Sequence, residues 1–416
     1  MIKRRLLPEL IKHLKEKEIS LIVGPRQAGK TTLMKLLMHE LAKQNQPSLM
    51  LNLDIEEDKK YFDSQEHLLR KIRLELGNQG YVFVDEIQRK ENAGLFLKGL
   101  YDMDLPYHWM VSGSGSLELK EKIHESLAGR KRVFELSTLS WEEWVEYRTS
   151  YRFEQNLGEF MELEATKTKA LLEEYLSFGG FPRIVLEQEL SEKRKIMSEL
   201  YESYLLKDLV ELLGIQKTEE FTGLARLMAS QLGKMVNKQE LSSTLGLHIH
   251  TINHYLWYME KTFYIEKVTP FYRNIRKEIC KAPVYYFSDL GMRNFALGLF
   301  GSSAPLLSDG FLFQNFVFHR LKDWVRDTSW QIHYWRTTNK AEVDFVVDQG
   351  IEITPVEVKY QNLLKPNPGR SLLSFLAQYQ PKKAYIVHLG KEMRRMEGNT
   401  ELVFLPFYRL IPASME

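Results

Sequence analysis

The stretch GPRQAGKTT, residues 24–32, holds glycine, lysine and threonine at a spacing suited to phosphate chemistry. Gly24, Gly29, Lys30 and Thr31 fit G-x-x-x-x-G-K-[ST]. The glycines let the backbone wrap phosphate oxygens with its N–H groups, and a helix starting there adds partial positive charge. Lys30 is expected on the β- and γ-phosphates and Thr31 on Mg²⁺. Pro25, Arg26, Gln27, Ala28 and Thr32 complete the contact stretch, with Arg26 placed to approach the phosphates. A second constellation lies in EVDFVVDQGIEITPVEVK, residues 342–359. It reads as two strands. Glu357 and Lys359 point to one side because strand side chains alternate, and Asp344 joins them if the strands pair. Two carboxylates beside a lysine suit a divalent metal and an oriented water.

The elements that must position these groups are readable. ISLIVG (19–24) is a short β-branched strand before the loop, and LMKLLMHELAKQ continues as a helix after it. Residues 4–17 look like an amphipathic helix. Further strands are expected at 48–54, 79–88 and 107–116. This alternation of strands and helices predicts a parallel sheet covered on both faces. Asp85 and Glu86 end the apolar run YVFV. Asp85 is expected to hold Mg²⁺ through water, and Glu86 to polarise the attacking water. From 165 to 213 the pattern is helical. From 310 the order is helix, three strands, helix, strand.

With 416 residues, 44% hydrophobic and 27% charged, the composition is that of a soluble multidomain protein. A net charge of +2 excludes a global basic field, so any nucleic-acid surface is local. The one cysteine, Cys280, excludes an intramolecular disulfide and a multi-cysteine zinc site. No run has the length of a membrane span or a signal-peptide core, so a cytoplasmic location is the expectation.

Together the loop, VFVDE, VSGSGS, LAGRKRVFELSTLSWEEW, SFGGFPRIV, EVDFVV and VEVK resemble a prokaryotic family of AAA+-type P-loop ATPases that carries a C-terminal nuclease-like domain of unknown function. The resemblance spans nearly the whole chain and implies ATP and Mg²⁺ as ligands. It implies that Ser112 or, at the strand end, Ser114 senses the γ-phosphate, against the plain alternative of a serine-rich turn. It implies that Arg130, or Arg132, stabilises transition-state charge, in its own chain or across a homo-oligomer; a structural ion pair is the equal alternative. In GGFP (179–182), Pro182 would lie against the adenine, or the segment is simply a helix–helix turn. The C-terminal order resembles the PD-(D/E)xK nuclease core, with Asp344, Glu357 and Lys359 at its D…ExK positions. Gln314 stands where that family commonly has a glutamate. An amide lacks the charge Mg²⁺ prefers, so efficient cleavage is not expected. Glu342, two residues before Asp344, is the candidate substitute.

Between these sites, NKQELSSTLGLHIHTINHYLWYMEKTFYI (237–265) reads as helix, glycine turn, helix, with Asn237 as cap and Gly246 as break. A winged helix fits, with Thr251, Asn253, His254 and Tyr255 outward and Arg273, Arg276 and Lys277 in the wing. His248, His250 and His254 read as surface or nucleic-acid-facing side chains rather than metal ligands. The sequence thus predicts an α/β protein: a P-loop AAA+ core (1–150), a helical lid (151–213), a winged-helix-like module (214–290) and a restriction-endonuclease-like α/β domain (291–416). The expected function is Mg²⁺-dependent ATP hydrolysis coupled to DNA binding. A protein-interaction switch and an ATP-gated nuclease are the alternatives.

Overall fold

The computed structural model describes residues 2–114, 126–207, 218–272, 282–302 and 310–410. Arg273, Arg276, Lys277 and Cys280 lie outside the described residues, as does the side chain of Ser114.

The N-terminal part is built on a parallel sheet. Its strands are β1 (Ile19–Gly24), β2 (Ser48–Asn52), β3 (Gly80–Asp85), β4 (Tyr107–Ser114) and β5 (Lys131–Glu135), in the order β2-β3-β4-β1-β5. All six residues of β1 are buried, as expected for a central strand covered on both faces. One face packs Leu68, Ile72, Phe96 and Leu97 from the helices Gln65–Leu76 and Ala93–Asp102. The other packs Leu10, Leu33, Met34 and Leu37 from the helices Leu7–His13 and Lys30–Lys43. The first of these is shorter than the amphipathic pattern over 4–17 predicts. Pro8 sits in its first turn, and Arg4 before it is held by tertiary bonds described below. The chain order changes direction at β1, between β4 and β5, and the phosphate loop leaves the carboxyl end of β1 there.

The C-terminal part is an eight-stranded mixed sheet. It contains β6 (Ile265–Pro270), β7 (Val284–Phe287), β8 (Gln331–Arg336), β9 (Glu342–Asp348), β10 (Ile353–Lys359), β11 (Lys383–His388), β12 (Met393–Glu397) and β13 (Thr400–Pro406). The order is β12-β13-β11-β10-β9-β8-β6-β7. The helices Gly310–Val325 and Arg370–Tyr379 contribute Phe313, Phe316 and Leu321, and Leu372, Phe375 and Leu376, to two hydrophobic clusters that also take up side chains of this sheet.

This sheet runs across the domain boundary expected at 290. Strand β6 pairs with β8 through Thr269–His333 and Pro270–Tyr334, so the middle module and the C-terminal domain share one sheet. Trp141, Trp144 and Val145, near the boundary expected at 150, pack into a hydrophobic cluster that runs through the lid helices to Leu410. The last two strands, β12 and β13, lie beyond the strand at which the sequence pattern was read to end.

Candidate functional site: a phosphate loop and its acidic strand end

Strand β1 ends at Gly24, where a Cβ would lie 2.0 Å from the Leu136 carbonyl oxygen, so only glycine lets the loop leave β1 beside β5. Gly29 has φ of 100° and is the N-cap of the helix that opens at Lys30. Lys30 is buried, and its Nζ donates to the Gly24 and Pro25 carbonyls at 3.0 and 2.9 Å. The ammonium is thus held inside the loop that a phosphate would fill.

Parallel pairing of β2, β3 and β4 sets Asp85 at the carboxyl end of β3, next to Asn52 and one step past the Val84–Val111 pair. Thr31 Oγ1 donates to Asp85 Oδ2 at 2.6 Å, and Ser112 Oγ donates to Asp85 Oδ1. A hydroxyl and a carboxylate of the metal-binding types therefore touch, 54 residues apart in sequence. This hard-oxygen pair fits Mg²⁺, which favours one or two carboxylates plus phosphate and water oxygens. Glu86 follows in a left-handed conformation (φ 57°), which turns its side chain out of the strand. Its carboxylate accepts a bond from the Gln88 amide.

The serine that touches Asp85 is Ser112. Ser114, expected as the sensor, ends β4 opposite Gly24, beside the loop. Arg130, expected either to stabilise transition-state charge or to form an ion pair, makes an ion pair within its own chain. It precedes β5, and Lys131 lies opposite Ile19, the first residue of β1. Arg130 is therefore one strand length, about 17 Å, from Gly24 on the opposite edge of the sheet. Its Nε pairs with Asp102 at 2.7 Å. Arg132 is on the same edge and lies 3.8 Å from Glu9. Neither reaches the loop of its own chain.

The lid turn is tied down from a distance. The backbone N–H of Gly180 donates to Asp289 Oδ2 at 2.8 Å, and the N–H of Met292 donates to Oδ1 at 3.0 Å. Asp289 is fully enclosed, and burial pushes its carboxyl up to about 6 despite these bonds. Pro182 opens the short helix Pro182–Leu186. Its neighbour Phe181 lines a small cavity with Pro25, Gln27, Tyr204 and Tyr264. The residue facing the loop is thus Phe181, and Pro182 is not among those lining it. Arg183 Nη1 donates to Gln27 Oε1 at 3.0 Å, a loop contact the sequence reading missed.

In the C-terminal sheet Asp344, Glu357 and Lys359 lie near one another on β9 and β10. Gln314 Nε2 donates to Asp344 Oδ1 at 2.7 Å, and Val358 N donates to Asp344 Oδ2 at 2.6 Å. Lys359 Nζ pairs with Glu357 Oε1 at 2.7 Å, while the buried Glu357 Oε2 has no hydrogen-bond partner. Burial, and then the nearby Glu357 charge, push the Asp344 carboxyl well above the usual range. Glu342 is engaged by Arg336 at 3.1 Å. Among the described residues no three His, Cys, Asp or Glu side chains converge as a metal-binding group.

The helices Lys238–Leu245 and Ile249–Lys261 form as expected. Asn237 caps the first by accepting from Gln239 and Glu240 N–H, and Gly246 ends it in the left-handed region. Asn253 and His254 are exposed, with His254 stacked on Trp257 at 5.9 Å. Tyr255, expected outward, is 4% exposed and packs edge-on against Phe221 at 5.1 Å. It falls one position past the outer face of a 3.6-residue turn.

Residues 16–145 match the AAA domain family, residues 169–303 a domain of unknown function (DUF8612), and residues 309–408 another (DUF4143). An uncharacterized protein of Haemophilus influenzae is 24% identical over 406 residues, covering 94% of each chain. One of Methanocaldococcus jannaschii is 25% identical over 338 residues, covering 79% of this chain and 72% of that protein. Among solved structures, the Aeropyrum pernix ORC1 protein in complex with DNA overlaps 72% of this chain and 92% of its own, at 9% identity and a TM-score of 0.33. AMPPCP-bound DnaA from Aquifex aeolicus overlaps 63% and 90%, at 14% identity and a TM-score of 0.31. The N-terminal part is a P-loop core of the AAA+ ATPase type, joined to an α/β C-terminal half. No helix among the described residues is long and apolar enough to cross a membrane.

Proposed function

We propose that the chain binds and hydrolyses ATP with Mg²⁺, and that nucleotide state governs how the C-terminal half meets DNA. The observation that supports the first part most strongly is the contact of Thr31 with Asp85 beside the enclosed Lys30. Thr31 and Asp85 would hold Mg²⁺, which supplies charge neutralisation at the β- and γ-phosphate oxygens. Lys30 turns from the Gly24 and Pro25 carbonyls onto the phosphates. The loop N–H groups cradle them. Glu86 releases Gln88 and orients the attacking water, and Ser112 and Ser114 place the polar strand end beside the γ-phosphate.

The DNA reading rests on the outer face of the Ile249–Lys261 helix. Asn253, His254, Trp257 and Lys261 share that side of the helix, with Lys261 Nζ 5.9 Å from the Trp257 ring. The nuclease-like cluster then serves binding rather than cutting: Gln314 brings an amide where a carboxylate would strengthen metal affinity, and burial pushes the Asp344 carboxyl above its usual range. A protein partner is the second reading, favoured by Ile249, 42% exposed at the start of the same helix. Titration with a fluorescent ATP analogue tests the core of the proposal. Wild type should bind in a Mg²⁺-dependent way and Lys30→Ala should not. Tight binding by Lys30→Ala would remove the assignment.

A further inference from the structure

We infer that the Trp141–Arg148 helix couples the phosphate loop to the C-terminal carboxylate cluster, with Glu143 reading the loop through Arg4 and Glu142 gripping Arg320 on the helix that holds Gln314 against Asp344. The inference rests on the ATPase reading and concerns its regulation.

Arg4 is buried, and its Nη1 donates to the Ala28 carbonyl at 2.7 Å, inside the loop. Its Nη2 donates to Ser137 O at 2.7 Å, and its Nε is 3.2 Å from both oxygens of Glu143. In a trans peptide the C=O and the following N–H point in opposite directions. Holding the Ala28 carbonyl outward therefore aims the Gly29 N–H into the loop, toward a phosphate. Arg4 is a positioning residue in this sense. Entry of phosphate must move Lys30 off the Gly24 and Pro25 carbonyls, and any rotation of the 28–29 peptide is felt at Arg4.

Successive helix residues are about 100° apart, so Glu142 and Glu143 face different neighbours. Glu142 pairs with Arg320: Nη1 donates to Oε2 at 2.6 Å, Nη2 lies 2.5 Å from Oε1 as an ion-pair contact that is not an aligned hydrogen bond, and both side chains are 3% exposed. Arg320 and Gln314 belong to one helix, Gly310–Val325, about 9 Å apart along its axis. The relay thus has a buried ion pair at each joint and a functional group at each end. It also has room to change. Cavities of about 370 and 190 Å³ border it, and Leu6, Ser140, Arg320, Asp323 and Arg326 line both. Both are open to solvent, so the side chains at these joints have room to take a second arrangement. The buried Arg320 Nε has no hydrogen-bond partner here, which raises the energy of the present arrangement relative to one that satisfies it.

The test is hydrogen exchange of the segments 310–318 and 353–360 in the full chain, with and without ATP and Mg²⁺, alongside ATP affinity. The variant is Glu142→Gln with Arg320→Met, which cuts the link and leaves no charge buried alone. Arg320→Lys, which keeps the charge but not the planar guanidinium, serves if the double variant does not fold. In wild type, ATP should change exchange in both segments by about five-fold or more, the usual lower end of site coupling. In the variant that change should vanish while ATP affinity stays within about three-fold of wild type. Persistence of the change in the variant, or its absence in nucleotide-bound wild type, overturns the coupling. Failure of wild type to bind ATP overturns the ATPase reading and the coupling with it.

Discussion

Asp289 gives a prediction that can be worked through. It is fully buried, and its carboxyl rises from 3.8 to about 6 because burial penalises the charge. A carboxylate raised in the fold binds more protons folded than unfolded between those values, so it costs stability as pH rises through that window. The shift of about two units corresponds to roughly 3 kcal/mol lost between pH 4 and pH 7. Asp289→Asn removes the titration. The amide can accept from only one of Gly180 N–H and Met292 N–H, and its own NH₂ opposes the other, at about 1–3 kcal/mol. The variant should therefore be less stable than wild type at pH 4.5 and close to or above it at pH 7.5. The assay is thermal unfolding of both proteins across that range, read as the difference between them. A constant difference would show that Asp289 does not titrate there and refute the reasoning.

Other outcomes follow from the same geometry. Arg130→Ala should leave the single-chain ATP turnover unchanged and cost at most about 1 kcal/mol, because it breaks a half-exposed pair far from the loop; a loss of turnover at low protein concentration would contradict its placement. Tyr255→Ala should destabilise the fold by about 3–5 kcal/mol, while His254→Ala should weaken retention of duplex DNA with little change in the unfolding midpoint. Gln314→Glu should lower stability at neutral pH, since it sets a third carboxylate against Asp344 and Glu357, and should recover it on added Mn²⁺; indifference to the metal would count against a metal-ready pocket.

The loop was legible because its chemistry is local. Glycine, lysine and threonine within eight residues define it, and the buried strand before it is a run of six. Asp85 was legible as an acid ending an apolar strand. Ser112 could have been chosen over Ser114 by register alone, because Val84 pairs with Val111 and the next step places Ser112 on Asp85. Arg4 and Asp289 were not legible. Their partners lie 139 and 109 residues away, and nothing local marks a buried arginine or aspartate for such a bond. The pairing of β6 with β8 across the boundary expected at 290 was not legible for a similar reason: it is a tertiary choice. The resemblance marked Gln314 as standing where a site glutamate is common, and the helix sets it against Asp344.

The most direct test of the account is steady-state ATP hydrolysis by wild type and Glu86→Gln, with and without duplex DNA, each reaction also run on a gel. The account predicts Mg²⁺-dependent turnover that DNA stimulates, no turnover by Glu86→Gln although it binds ATP, and intact DNA throughout. Normal turnover by Glu86→Gln, or cleavage of the DNA, would contradict it.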